Sequence, residues 1–173
     1  FGKIGRAVAR RARGFGMRVL AVDTHADEQQ AAELGVTITD AKTLLRESDV
    51  ISNHMNLTAE NRHFFDDAGF AAMEKHPIFL NVSRGGSVDE AALVRALDNG
   101  LIRAAGLDVL EAEKPDLEQC ALIGRENVIL TPHAAFYSAR SIEALQRMSC
   151  HNLTDCLTGN RAHAFKIVNG VSI

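Results

Sequence analysis

Two kinds of segment alternate along this chain. Short runs rich in Val, Ile and Leu, at residues 18–22, 50–53, 78–82, 104–109 and 127–130, have the pattern of strands buried within a parallel sheet. Between them, residues 5–15, 26–34, 41–47, 66–74, 88–99 and 138–157 carry apolar side chains at helical spacing. Asp40 stands where it caps the helix from 41, and Gly35 and Gly100 stand where left-handed C-terminal caps belong. Ser87 with Glu90 forms a Ser-x-x-Glu start signal. This alternation, free of Pro-rich linkers, low-complexity runs and internal repeats, predicts an α/β fold built on a doubly wound parallel sheet. One domain fills residues 1–159, and the pattern weakens over 160–173.

Composition narrows the function classes. The 173 residues are 46% hydrophobic and 24% charged, a globular balance able to bury a sizeable core. With 19 Lys plus Arg against 22 Asp plus Glu there is no basic excess for coating nucleic acid, so no direct nucleic-acid contact is expected. No run approaches the ~18 consecutive apolar residues of a membrane helix, and the first residues lack a signal-peptide layout. A soluble, cytoplasmic protein without membrane contact is expected. Cys120, Cys150 and Cys156 are odd in number and read as reduced core thiols. His25, His63, His76, His151 and His163 show no metal-ligand spacing, and no metal site is expected. Arg6, Arg10, Arg11 and Arg13 read as a solvated face of the first helix.

Candidate chemistry begins at the first residues. Phe1-Gly2-Lys3-Ile4-Gly5 supplies the last five positions of the dinucleotide signature Gly-x-Gly-x-x-Gly. In that signature one glycine lets the backbone approach a pyrophosphate and the next lets helix and strand pack closely, roles open to Gly2 and Gly5. Asp23 ends an apolar run 18 positions after Gly5, where an acidic side chain is expected to bind ribose hydroxyls. Its charge repels a 2′-phosphate, and neither Thr24 nor His25 supplies an arginine to welcome one, so NAD is expected rather than NADP. The alternative is that Asp23 caps the following helix. In this fold the strand before the glycine turn is central, and here it is missing, which predicts an interrupted sheet in a fragment of a longer protein.

Ligands of open parallel sheets bind beyond the carboxyl ends of the strands. Three ends carry suitable groups: Arg84 followed by Gly85-Gly86, Glu113 five residues past Asp108, and His133 after Pro132. Arg84 can bind a substrate carboxylate, His133 can exchange a proton with a carbonyl or alcohol oxygen, and Glu113 can orient the imidazole. The plainer alternatives are a surface salt bridge for Arg84, a solvated loop for Glu113 and a helix cap for His133.

These stretches, together with His54-Met55-Asn56-Leu57-Thr58, Asn81-Val82-Ser83-Arg84-Gly85-Gly86, Val88-Asp89-Glu90, Gly106-Leu107-Asp108-Val109 and Thr131-Pro132-His133, resemble the NAD-binding domain of the D-isomer-specific 2-hydroxyacid dehydrogenases, including phosphoglycerate dehydrogenase-like members. The resemblance covers nearly the whole chain. It implies that Arg84, Glu113 and His133 match the family's catalytic residues, and that Lys3 and Ile4 lie at the pyrophosphate. It sets Thr58, Ser83 and Asp108 beside the nicotinamide, with Asn56, Arg84 and His133 also in the cofactor-binding set. Asn56 replaces a common proline, and the run after His133 is unusual. Both features are similar to the branch containing C-terminal-binding-protein corepressors. Phe136 is expected either against the substrate side chain or, like Tyr137, packed on the last helix. The implied activity is NAD-dependent interconversion of a 2-oxo acid and a D-2-hydroxy acid. The alternative is an NADH-responsive, corepressor-like module with little turnover. A homodimer is expected, along with a substrate domain toward which 160–173 return, so that the isolated fragment is inactive.

Overall fold

The computed structural model describes residues 1–160. Its elements, in chain order, are α1 (Lys3–Gly14), β1 (Val19–Ala21), α2 (Glu28–Glu33), β2 (Val36–Ile38), α3 (Ala41–Glu47), β3 (Val50–Asn53), α4 (Asp67–Ala71), β4 (Ile78–Asn81), α5 (Glu90–Asp98), β5 (Ala104–Leu107), β6 (Val128–Leu130) and α6 (Ala139–Leu157). All strand pairs are parallel. The architecture is the expected doubly wound, Rossmann-type α/β fold.

The sheet falls into two pieces, β1–β2 and β3–β4–β5–β6, which is the interruption predicted from the half signature. Strand β2 was not among the predicted strands. Thr37 at its centre breaks the apolar run, and its pairing of Val36 with Val19 and Ile38 with Ala21 is what defines it.

Helix ends follow local chemistry. Asp40 caps α3 by accepting from Thr43 N at 2.8 Å, and Gly35 and Gly100 take φ of 64° and 66° just past α2 and α5. Ser87 does not cap α5. It lies in a 3₁₀ turn at Gly85–Ser87, and Asp89 accepts from Ala92 N instead. Helix α1 starts two residues before its predicted position, with Gly2 as its N-cap.

Between the larger sheet and its helices lie Phe65, Phe70, Phe79, Leu93 and Ile102, all nearly or wholly inaccessible. The Phe79 ring stands 4.8 Å from Phe65 and 5.5 Å from Phe70, both edge to face. Around β1–β2 the buried cluster is only Ala9, Ala31 and Val36. Cys120 packs against the larger core, whereas Cys150 is exposed on α6, which corrects its expected place as a core thiol: no second layer covers that side of the helix among the described residues. No group of metal-ligating side chains occurs among the described residues, and no helix is long and apolar enough to cross a membrane.

The chain divides into two compact units, Phe1–His133 and Ala134 onward. The second contains α6, capped reciprocally by Ser138 and Ser141. The expected return of the chain after Asn160 lies outside the described residues.

Candidate functional site

The glycine turn comes first. Gly2 caps α1 without a side-chain acceptor, no acidic residue occupies the first turn, and a Cβ built on Gly2 would meet nothing within 4 Å. A helix start of this kind, open and uncrowded, suits a phosphate group. Asp23, just past β1, lies against Phe1 N and accepts from His25 N at 2.8 Å. The ribose-type acid and the start of the glycine turn therefore lie side by side, as a dinucleotide requires. Asp23 does not cap α2, because Asp27 does so by accepting from Gln30 N at 3.0 Å.

A Cβ on Gly5 would meet His54 Cβ at 3.9 Å, an ordinary contact. That neighbour is the exit of β3. His54 is half-buried, with Nε2 2.9 Å from Ser52 Oγ, and burial pulls its pKa below the ordinary histidine value. Past it, Asn61 closes the loop: it accepts from Thr58 N at 2.8 Å and donates to Asn56 O at 2.6 Å, leaving Asn56 and Thr58 exposed.

The remaining candidates leave the carboxyl ends of β4, β5 and β6, which are consecutive in the sheet. Arg84 follows β4 with an extended backbone, and its guanidinium donates to Ser83 O at 2.8 Å. It makes none of the surface salt bridges among the described residues. Ser83 Oγ donates to Met55 O, joining the β4 exit to the β3 exit. Gly85 must lack a side chain: a Cβ would stand 1.8 Å from Leu110 O, so the Arg84 turn lies directly on the segment leading to Glu113.

Asp108 is buried at the end of β5, its amide donating to Asn81 O at 2.9 Å while Thr131 Oγ1 donates to its carboxylate. His133, beyond β6, has a left-handed backbone with φ of 53°. A side chain other than glycine pays conformational energy there. Hydrogen bonds from His133 N to Asp108 O (2.9 Å) and Thr131 O (3.0 Å) hold it. Its Nδ1 lies 3.4 Å from Glu113 Oε2. That is an ion-pair contact, longer than the roughly 2.7–2.9 Å of a charge-assisted hydrogen bond; catalytic contacts of this kind tighten when substrate binds. His133 does not cap α6, since Ser138 does.

The structure thus brings together Phe1, next to Gly2, with Asp23, Ser83 with the β3 exit, and Glu113 with His133. It leaves the Arg84 guanidinium on its own neighbour's carbonyl, at the same end of the sheet but with β5 between it and His133. Phe136 belongs to the second unit, where its ring stands edge to face with Tyr137 at 5.9 Å. Sequence reading missed the buried polar side chains beneath the site, Asn53, Asn81 and Ser87. Their signal is a polar residue at the last position of each of two apolar strands.

Comparisons with known proteins agree with this geometry. The family described as D-isomer specific 2-hydroxyacid dehydrogenase, NAD binding domain, matches residues 1–135. The chain is 44% identical over 152 residues to a glyoxylate reductase of Korarchaeum cryptofilum, covering 88% of this chain and 46% of that protein. It is 44% identical over 133 residues to D-3-phosphoglycerate dehydrogenase 2, chloroplastic, of Arabidopsis thaliana, covering 77% of this chain and 21% of that one. A crystal structure of D-lactate dehydrogenase from Aquifex aeolicus, complexed with NAD and lactic acid, superposes with a TM-score of 0.89 at 33% identity, covering 99% of this chain and 56% of that one. The chain therefore spans about half the length, or less, of these proteins. They are named as dehydrogenases and a reductase, so the corepressor alternative gains no support.

Proposed function

We propose, for a chain that belongs to the D-isomer specific 2-hydroxyacid dehydrogenases as their NAD-binding domain, that the complete protein interconverts a 2-oxo acid and a D-2-hydroxy acid. NAD, when bound, supplies the hydride acceptor or donor. The chain's own residues bind, orient and move the proton. Gly2, Lys3, Ile4 and Gly5 face the pyrophosphate, and Asp23 accepts from ribose hydroxyls. Asn56, Thr58, Ser83 and Asp108 line the nicotinamide side, with Phe136 toward the substrate side chain. Arg84 takes the substrate carboxylate in a paired, charge-assisted hydrogen bond. His133 gives a proton to the carbonyl oxygen during reduction and takes it back during oxidation. With Nδ1 facing Glu113, Nε2 is the nitrogen assigned to the substrate oxygen. Glu113 fixes the ring and favours its protonated form by its charge.

The observation that carries this reading is the approach of Glu113 to His133, the latter held in a left-handed backbone by two hydrogen bonds. The test is NADH oxidation by the full-length protein across a panel of 2-oxo acids such as glyoxylate, pyruvate, hydroxypyruvate and phenylpyruvate. Turnover with at least one is expected, and His133→Gln lowers kcat by roughly 10²- to 10⁴-fold. Coenzyme binding without turnover, or parent-like kcat in the variant, overturns the assignment. A cytoplasmic homodimer belongs to the same proposal, and sedimentation of the full-length protein at the mass of one chain would remove the dimer.

A further inference from the structure

Beneath the Arg84 turn lies a closed set of hydrogen bonds that the chemistry above does not use. Asn53 and Asn81 are register partners at the carboxyl ends of β3 and β4, and with Ser87 they are 3%, 1% and 0% exposed. Both amide hydrogens of Asn53 are engaged: Nδ2 donates to Asn81 Oδ1 at 3.1 Å and to Ser87 Oγ at 2.7 Å. Asn81 Nδ2 and Ser87 Oγ then both donate to Arg84 O, at 3.1 and 2.7 Å. Asn81 Oδ1 also accepts from Ser83 N at 3.1 Å, and Asn53 Oδ1 from Met55 N at 3.0 Å. No buried side-chain polar atom among the described residues lacks a partner.

Polar groups this deep are costly unless every donor and acceptor is matched, and a matched network specifies one geometry. Two strands ending in leucine would pack as well and leave the turns at their ends less defined. Here two routes from one amide converge on the carbonyl of the residue whose guanidinium meets the substrate. We propose that Asn53, Asn81 and Ser87 are positioning residues that fix the Arg84 backbone and thereby set affinity for the substrate carboxylate. This rests on the dehydrogenase reading for the role of Arg84. The residues touch neither substrate nor coenzyme and act through Arg84 alone in this respect.

Ser87→Ala is the sharpest probe, because it deletes one hydroxyl. In the full-length protein, KM for the 2-oxo acid that the parent reduces best rises by roughly 3- to 10-fold, the worth of one neutral hydrogen bond, and by more than kcat falls. In an Arg84→Ala background the same substitution leaves KM where Arg84→Ala alone set it. Should Ser87→Ala yield too little folded protein, Asn53→Leu removes the donor that feeds both routes, and its KM rise likewise vanishes without Arg84. An equal KM rise in both backgrounds marks a general structural role and overturns the proposal, as does a parent-like KM in Ser87→Ala when Arg84→Ala alone raises KM. If Arg84→Ala leaves KM unchanged, or the parent shows no turnover, the dehydrogenase reading fails instead. Amide hydrogen exchange then decides the positioning role: faster exchange across residues 83–88 in Ser87→Ala upholds it, and parent-like exchange refutes it.

Discussion

The β3–β6 sheet and the β1–β2 pair are built from the same strand–helix alternation yet differ in how they are held. Phe79 of the larger sheet meets Phe65 and Phe70 edge to face, and Leu93, Ala96, Ile102 and Leu107 belong to the same buried cluster. Ala9, Ala31 and Val36 are all that is buried around the smaller one, and every residue of β1 is partly accessible. The candidate acid–base and substrate-binding groups leave the first region, and the glycine turn and Asp23 belong to the second. The split of the sheet accounts for the difference: β3–β6 is a continuous four-stranded layer with helices packed on it, whereas β1 and β2 have only each other as sheet partners.

The contrast is most exposed to core truncation. Phe79→Ala costs about 3–5 kcal/mol, the range for a buried aromatic, whereas Val36→Ala costs about 1–2 kcal/mol, in line with the few methyl groups it removes. Urea unfolding of both variants measures the difference, and equal costs would erase the distinction between the two regions.

A smaller effect separates the regions by function. Asp23→Ala weakens NADH binding by roughly 10-fold, the worth of a charge-assisted hydrogen bond, and narrows the discrimination against NADPH. Coenzyme titration by fluorescence reads both. Equal affinity of the parent protein for the two coenzymes would remove Asp23 from the ribose site.

The smallest effect lies where the regions touch. His54 stands beside Gly5 and is held below its ordinary value by burial. Its folded pKa is lowered, so the unfolded chain takes up a proton at higher pH than the folded one. The contribution is present above pH ~6.5 and is lost as pH falls through the folded value. Denaturation midpoints of the parent therefore fall across that acid range, and those of His54→Asn fall less steeply. Parallel slopes would show that His54 does not report on this contact.

Much of the site was legible because its residues follow apolar runs directly. Arg84 and His133 were picked out from strand ends, since a parallel sheet aligns the carboxyl ends of its strands, whereas Asp108 entered through the family resemblance. Glu113 needed only its short distance from Asp108 along the chain. Two local signals misled. Ser87 has the spacing of a helix cap, but its hydroxyl is better used between Asn53 and Arg84 O, and Asp89, two residues on, takes the cap. The three residues of β2 carry too little hydrophobic pattern to be seen without their partner strand.

The chain's order of apolar runs, caps and glycines determined the fold class, the direction of the strands and the choice of three candidate side chains, because each is set by neighbours within a few residues. Register was decided only in three dimensions. That Asn53 lies beside Asn81, 28 positions away, that Gly85 must yield its Cβ to Leu110, and that Glu113 comes within 3.4 Å of His133 all depend on which strands pair and how far the loops beyond them travel. A linear sequence encodes side-chain chemistry locally, but the distances between those side chains are fixed by packing summed over the whole sheet.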